Sequence, residues 1–231
     1  MEQPMHRSAI NAILQDADAM IRAAGFTLPP FAHLAPDDLA LLAGSEVIGR
    51  RLGWDVTDYG GGDFGALGLA LFTLRNGRVR DLGAGRGMLY AEKLLVLRQG
   101  QLCPMHCHRL KAEDIIHRWG PGRLEVELFA SDPAGGRDLA APVTVLCDGI
   151  RRTVPAGGRI VLGLGESITL MPGDWHAFRA LGGDCLLGEV STVNDDETDN
   201  IFDPPLPRFT TVEEDEAPWR WLVSDYGRFG G

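Results

Sequence analysis

The spacing of hydrophobic positions along this chain changes period once. Near the start, Ile10, Ile13, Leu14, Ala17 and Ile21 recur at helical spacing, which predicts an amphipathic helix over residues 8–24 with Ser8 as N-cap and Gly25 as its stop. Leu28-Pro29-Pro30-Phe31 breaks that pattern, and Ala35-Pro36-Asp37-Asp38-Leu39 reads as a second short helix with Pro36 at its first position. After Leu52-Gly53-Trp54-Asp55-Val56-Thr57-Asp58-Tyr59 and three glycines, apolar residues alternate at Leu67, Leu69 and Leu71 with Thr73 in phase. Asn76-Gly77 is a hairpin signal. Beyond it come short apolar runs separated by Gly, Pro or Asp, among them Lys93 to Arg98, Leu124 to Phe129, Val143 to Leu146, Arg159 to Leu162, Ser167 to Leu170 and Cys185 to Val190. Many short strands at turn-like spacing predict an antiparallel sandwich or barrel.

Composition narrows the partners. The 231 residues carry a formal net charge of -10 with no Lys/Arg-rich run, which argues against a nucleic-acid backbone or an anionic membrane and for a small neutral substrate. Cys103, Cys107, Cys147 and Cys185 form no C-x-x-C pair, and no signal peptide or long apolar span accompanies them, so reduced thiols in the cytoplasm are expected.

The stretch Gly100 to Gly120 concentrates the chemistry. His106 and His108 stand at i and i+2, so on a strand both imidazoles project from one face. Glu113 can return on the neighbouring strand, Glu113-Asp114-Ile115-Ile116, to add an oxygen to two nitrogens around a metal. Lys111, two residues earlier, shares the face of Glu113 on an extended segment and can hydrogen-bond a substrate oxygen, although a surface charge is the competing use. A fourth ligand, His176, follows the Pro172-Gly173 turn at the start of another strand. His117 is expected to lie outside this set. Glu213-Glu214-Asp215-Glu216 is the kind of run that is usually solvated, Asp195, Asp196, Asp199 and Asn200 are residues that form turns, and Trp54, Trp175, Trp219 and Trp221 serve either the core or a sugar pocket.

Together these two stretches resemble the paired motifs of the cupin superfamily. Gly100, His106-x-His108, Glu113 and Gly120 match the first completely, and Gly173-x-x-His176 keeps the register of the second. A narrower resemblance, to the D-lyxose isomerase family, runs from the N-terminal helix nearly to the end. It is carried by Phe26-Thr27-Leu28-Pro29-Pro30-Phe31-Ala32, Leu52 to Asp58, Phe72 to Gly77 and Tyr90-Ala91-Glu92-Lys93. Pro104-Met105-His106, Gly188-Glu189-Val190-Ser191, Asn194-Asp195-Asp196, Asp199-Asn200 and Glu213 to Glu216 extend it. The chain departs from the family pattern at Cys107, Trp119 and Ile201, changes that would reshape the sugar pocket without touching the metal.

The resemblance implies an all-β cupin antiparallel barrel (jelly roll) with an N-terminal α-helical extension. A single domain spanning 1–231 is expected, with the extension at 1–45, a core barrel at 85–195 carrying both motifs, and a C-terminal segment at 196–231 over the active site. It implies Mn2+ as cofactor, with Co2+ as an alternative, held by His106, His108, Glu113 and His176. The implied reaction interconverts D-lyxose and D-xylulose and, more slowly, D-mannose and D-fructose in a homodimer. Glu213 is the implied base with Glu214 as its alternative, Lys111 handles a sugar oxygen, and Arg208 and Trp175 contact the substrate. Two nitrogens and a carboxylate also suit Fe2+ and O2, so a cupin dioxygenase is the alternative chemistry, and a non-catalytic sugar-binding cupin the alternative without any.

Overall fold

A computed structural model describes residues 3–229. The N-terminal helix α1 spans Arg7–Ala23 and buries Ile10, Leu14, Ala17, Met20 and Ile21 on one face, as the spacing predicts. The N-cap falls two residues before the expected Ser8, at His6. Helix starts at Arg7, and the Ser8 N–H and hydroxyl both donate to the Asp215 carboxylate, at 2.8 and 2.5 Å, so the cap is supplied from the other end of the chain. Gly25, at φ +74°, ends the helix by donating its N–H to the Arg22 carbonyl. A short helix at Pro36–Ala40 has Pro36 in its first turn, as expected.

The strands in chain order are β1 (Met5–His6), β2 (Gly53–Thr57), β3 (Leu69–Arg75), β4 (Tyr90–Leu97), β5 (Leu102–His108), β6 (Glu113–Trp119), β7 (Arg123–Ser131) and β8 (Arg137–Asp138). They continue as β9 (Val143–Cys147), β10 (Ile150–Val154), β11 (Gly158–Leu162), β12 (Ser167–Leu170), β13 (Trp175–Leu181), β14 (Cys185–Thr192), β15 (Asn200–Phe202) and β16 (Val212–Glu213). One sheet has the order β10-β9-β12-β6-β14-β4-β3-β2, and the other β11-β7-β13-β5-β15 with β8 beside β7. Within both, every pairing is antiparallel. The fold is the cupin barrel with its N-terminal helical extension. The run Asn76-Gly77 makes no hairpin turn, because a helical segment at Val79–Ala84 separates β3 from β4. Asn76 instead clasps the Asn194 backbone, donating from Nδ2 to its carbonyl and accepting its N–H.

Alternation explains the apolar runs. On β4, Lys93, Leu95 and Leu97 face the barrel interior while Leu94 and Val96 face outward under α1, beside Trp54, Val56, Ala70 and Phe72. A strand covered on both faces has few polar positions, so the few present carry meaning. Inside, Leu71, Leu95, Ile115 and Leu187 meet Leu124, Val126, Ile160 and Phe178 of the facing sheet and close one end of the barrel. The other end holds polar side chains.

Candidate active site

Strand β5 carries His106 and His108 inward, with Cys107 on its opposite face. Strand β13 lies antiparallel to it in register His176 with His106, so a third imidazole arrives beside the first. The turn that delivers it is held by the Gly173 N–H donating to the His108 carbonyl and by Asp174 Oδ2 accepting the Met171 N–H. Gly173, at φ +89°, takes the left-handed conformation this turn requires. Ligand nitrogens of His106, His108 and His176 lie within 4.8 Å of one another. Glu113, first residue of β6, sets Oε1 at 3.1 Å from His176 Nε2 and 3.6 Å from His108 Nε2.

Protonation in this cluster follows from its surroundings. Burial, with His176 adjacent, pushes the His106 imidazole well below its ordinary value, and burial with Lys111 does the same to His108. Burial opposes the Glu113 charge, but the Lys111 and His108 side chains more than offset it and hold the carboxyl well below the usual range. Neutral imidazoles and an ionised carboxylate are the forms that ligate metals. Nδ1 of His106 and of His176 meet the Pro104 and Asp174 carbonyls at 2.8 and 2.9 Å, which turns each Nε2 toward the common centre. Nε2 of His108 and of His176 are buried with no hydrogen-bond partner among the described residues. Buried polar atoms are rarely left so, and a divalent cation would supply what these atoms lack. Three nitrogens and one oxygen fit such an ion.

A chain of buried charges leads away from the cluster. Lys111 Nζ lies 2.5 Å from Glu113 Oε2 and 3.1 Å from Glu189 Oε1, and Lys93 Nζ lies 3.6 Å from both Glu189 and Asp196. Arg208 then reaches Asp196 through Nε at 3.3 Å and Asp55 through Nη1 at 2.9 Å. Burial works against the Asp196 charge, but Arg208 and Lys93 hold its carboxyl well below the usual range. Burial likewise works against the Lys111 charge, and Glu113 and Glu189 raise the ammonium above its ordinary value. Lys111, Glu113, Glu189, Lys93, Asp196 and Arg208 line one chamber with His106 and His108, walled elsewhere by Tyr59, Cys103, Phe178 and Phe202. It is a small polar cavity with fixed cations beside fixed carboxylates.

The structure brings together His106, His108, His176, Glu113, Lys111 and Arg208. It does not bring Glu213 and Glu214 there. Glu213 is exposed on β16 beside His6, and Glu214 takes Arg7 Nε and Nη2, each at 2.8 Å, and Arg228. The acidic run therefore clamps α1, with Asp215 on Ser8 and Glu216 on Asn11 Nδ2 at 2.6 Å. Trp175 also points away, since it precedes the inward His176 on a strand; it sits on the outer face with Met105, Phe129 and Ala177. The departures Cys107 and Ile201 lie on that outer face too, and Trp119 packs under α1, so none of the three walls the chamber. Glu189 and Lys93 are the residues that sequence reasoning missed. Both stand in stretches that carry the family resemblance, and Glu189 is in addition a lone charge inside an apolar run that reads as a buried strand.

Comparison with known proteins agrees with this architecture. The family model described as D-lyxose isomerase matches residues 5–226. The D-lyxose/D-mannose isomerase of Serratia proteamaculans is 46% identical over 230 residues, covering 97% of this chain and 99% of that protein. That of Escherichia coli O157:H7 is 44% identical over 230 residues, covering 97% and 100%. Among solved structures, the L-ribose isomerase of Acinetobacter sp. DL28 in complex with L-ribose has a TM-score of 0.60 at 15% identity, covering 91% of this chain and 98% of that one. The L-ribose isomerase of Cellulomonas parahominis has a TM-score of 0.56 at 18% identity, covering 92% and 100%.

Proposed function

Because the chain belongs to the D-lyxose isomerase family, we propose that this sugar aldose–ketose isomerase interconverts D-lyxose with D-xylulose and, more slowly, D-mannose with D-fructose. The observation that carries the reading is the position of one carboxylate. Glu189 is buried in the chamber between two ammonium groups, one of which also touches the carboxylate that faces the histidines. His106, His108, Glu113 and His176 would hold a divalent ion, for which we propose Mn2+ with Co2+ as an alternative. When bound, such an ion supplies Lewis acidity toward the sugar carbonyl.

The chain's own residues account for the proton movements. Glu189 takes the proton from C2 of the open-chain aldose, and the electron pair it leaves forms the C1–C2 double bond of an enediol as the carbonyl π pair moves onto O1. Lys111 stands where it can pass a proton between the O2 hydroxyl and O1, so that O2 becomes the new carbonyl oxygen. Glu189 returns its proton to C1. Atoms and charge balance with no external reductant or oxidant. Lys93 and Lys111 fix the position of the base, and Arg208, at the far end of the charge chain, binds sugar hydroxyls. Leu69, Leu71, Leu95 and Phe178 among the chamber walls limit the water that can reach the enediol.

We further propose a homodimer in the cytoplasm. Exposed Leu146, Val190 and Tyr90 on the open face of the eight-stranded sheet support a partner there, and the four cysteines, buried and unpaired, suit a reducing compartment.

The test follows ketose formation from D-lyxose and D-mannose on chelator-stripped protein, before and after separate reloading with Mn2+ and Co2+. Turnover restored by metal, faster with lyxose, and solvent deuterium at C1 of the xylulose support the reading. Absence of ketose from both sugars with metal bound would overturn it.

A further inference from the structure

Tyr59 holds a backbone conformation that large side chains avoid, with φ +53°. Steric cost at a bulky residue persists only where the surroundings over-determine it. Here they do. Asp58 accepts the N–H of Gly60 and of Gly62, each at 2.9 Å, and the Thr210 hydroxyl at 2.7 Å, while the Tyr59 N–H donates to Thr57 Oγ1 at 3.0 Å. The consequence of this turn is to send the Tyr59 ring into the barrel, where it is 2% exposed and meets Phe202 edge-on at 5.4 Å.

The ring ends in an underused hydroxyl. Its one hydrogen-bond partner among the described residues is Cys103 Sγ at 3.2 Å, and a thiol is a weak partner for a group with one proton and two lone pairs. Around it the other polar groups are already engaged with one another, Arg208 Nη1 lying 2.9 Å from Asp55 Oδ2, so neither is spent on the Tyr59 hydroxyl. Burial and the neighbouring Cys103 push the phenol well above its ordinary value, so it keeps its proton and remains a donor. Tyr59, Cys103, Phe202 and Arg208 all wall the chamber, at the end reached from Glu189 through Lys93, Asp196 and Arg208.

We propose that the Tyr59 hydroxyl hydrogen-bonds a sugar hydroxyl beyond C3, which makes Tyr59 a specificity-determining residue of the chamber. The inference rests on the isomerase reading above for the direction in which the sugar lies. A strained turn that delivers a polar atom into an enclosed site has a use the chain does not itself satisfy. A polyol supplies the missing donors and acceptors.

Tyr59→Phe removes one oxygen and keeps the ring against Phe202. Calorimetry would compare the affinity of metal-loaded wild type and Y59F for D-arabinitol, the unreactive reduced form of D-lyxose. Steady-state kinetics would compare D-lyxose with its 4-deoxy and 5-deoxy analogues. The expected result is a pentitol affinity about tenfold weaker in Y59F, with the KM for D-lyxose raised in the same direction. One deoxy analogue that costs wild type about tenfold in kcat/KM would cost Y59F nothing. Equal pentitol affinity in the two proteins, or equal losses with both analogues, overturns the inference. If wild type binds the pentitol but isomerises neither sugar, the isomerase reading fails, and the affinity arm still decides the Tyr59 contact.

Discussion

Lys111 and Glu113 form a buried ion pair, Nζ to Oε2 at 2.5 Å, and the same ammonium touches Glu189 at 3.1 Å. The candidate base and a candidate metal ligand are thus linked through one cation. Removing the base should separate chemistry from binding. Glu189→Gln keeps the shape and the hydrogen bond to Lys111 but cannot take a carbon-bound proton. Its kcat should fall by about 10²- to 10⁴-fold, with metal content by elemental analysis and pentitol affinity unchanged. A Gln variant with more than a tenth of wild-type kcat would sink the assignment.

Lys111 itself should be irreplaceable. In Lys111→Met, Glu113 and Glu189 lose their shared cation in a buried site, and an uncompensated buried charge is costly. Both kcat and metal affinity should drop. Lys111→Arg should not restore kcat, because a planar guanidinium does not fit the space of a compact ammonium between two carboxylates. Metal titrations alongside turnover read the two effects separately.

Glu213 and Glu214 make the opposite prediction. Glu213→Gln should leave kcat within about twofold of wild type, since an exposed carboxylate on β16 has no path to the chamber. Arg7→Met should lower stability by about 3 kcal/mol, because it strips Asp225, 6% exposed, of its buried partner. Thermal melts and kinetics on the two variants would check both. A large loss of kcat in Glu213→Gln with an unchanged melt would return the base to this position.

What could be read from sequence, and what could not, divides along physical lines. His106, His108, Glu113 and Lys111 lie within eight residues of chain, where the two-residue period of a strand and one turn determine their relative placement. His176 was legible because a Pro-Gly turn and a following strand have a standard geometry. Glu189 and Lys93 reach the chamber only through the pairing of β14 with β4, which brings them opposite each other and depends on the whole sheet order. Trp175, Cys107 and Ile201 were misplaced for a reason the sequence did contain, because each is next in chain to an inward residue and so faces outward. The acidic run at Glu213 to Glu216 could not be read, since its partners Arg7, Ser8 and Asn11 come from the far end of the chain.

Acid should weaken the protein through Asp196. Its folded carboxyl is held below the ordinary 3.8 despite burial, by Arg208 and Lys93. A depressed carboxylate contributes stability that is fully present above the unfolded value and is lost as pH falls through the folded one. Melting temperature should therefore fall with pH below about 4, and Asp196→Asn should melt lower than wild type at pH 7 while losing less on acidification. Parallel pH profiles for the two proteins would contradict this account.

Metal should stabilise the fold as well as serve the reaction. His106, His108, His176 and Glu113 come from three strands, β5, β13 and β6, drawn from both sheets, so an ion shared among them ties the sheets together at the polar end of the barrel. The unfolded chain offers no such cluster, and a ligand bound only by the folded state stabilises it by about 2.7 kcal/mol at a free concentration 100 times Kd. Chelation should therefore lower the melting temperature by several degrees, and Mn2+ should restore it in a concentration-dependent way. In His108→Ala the same additions should move the melt little, because the site has lost one of its nitrogens. An equal shift in the variant and in wild type would mean that the ion binds elsewhere.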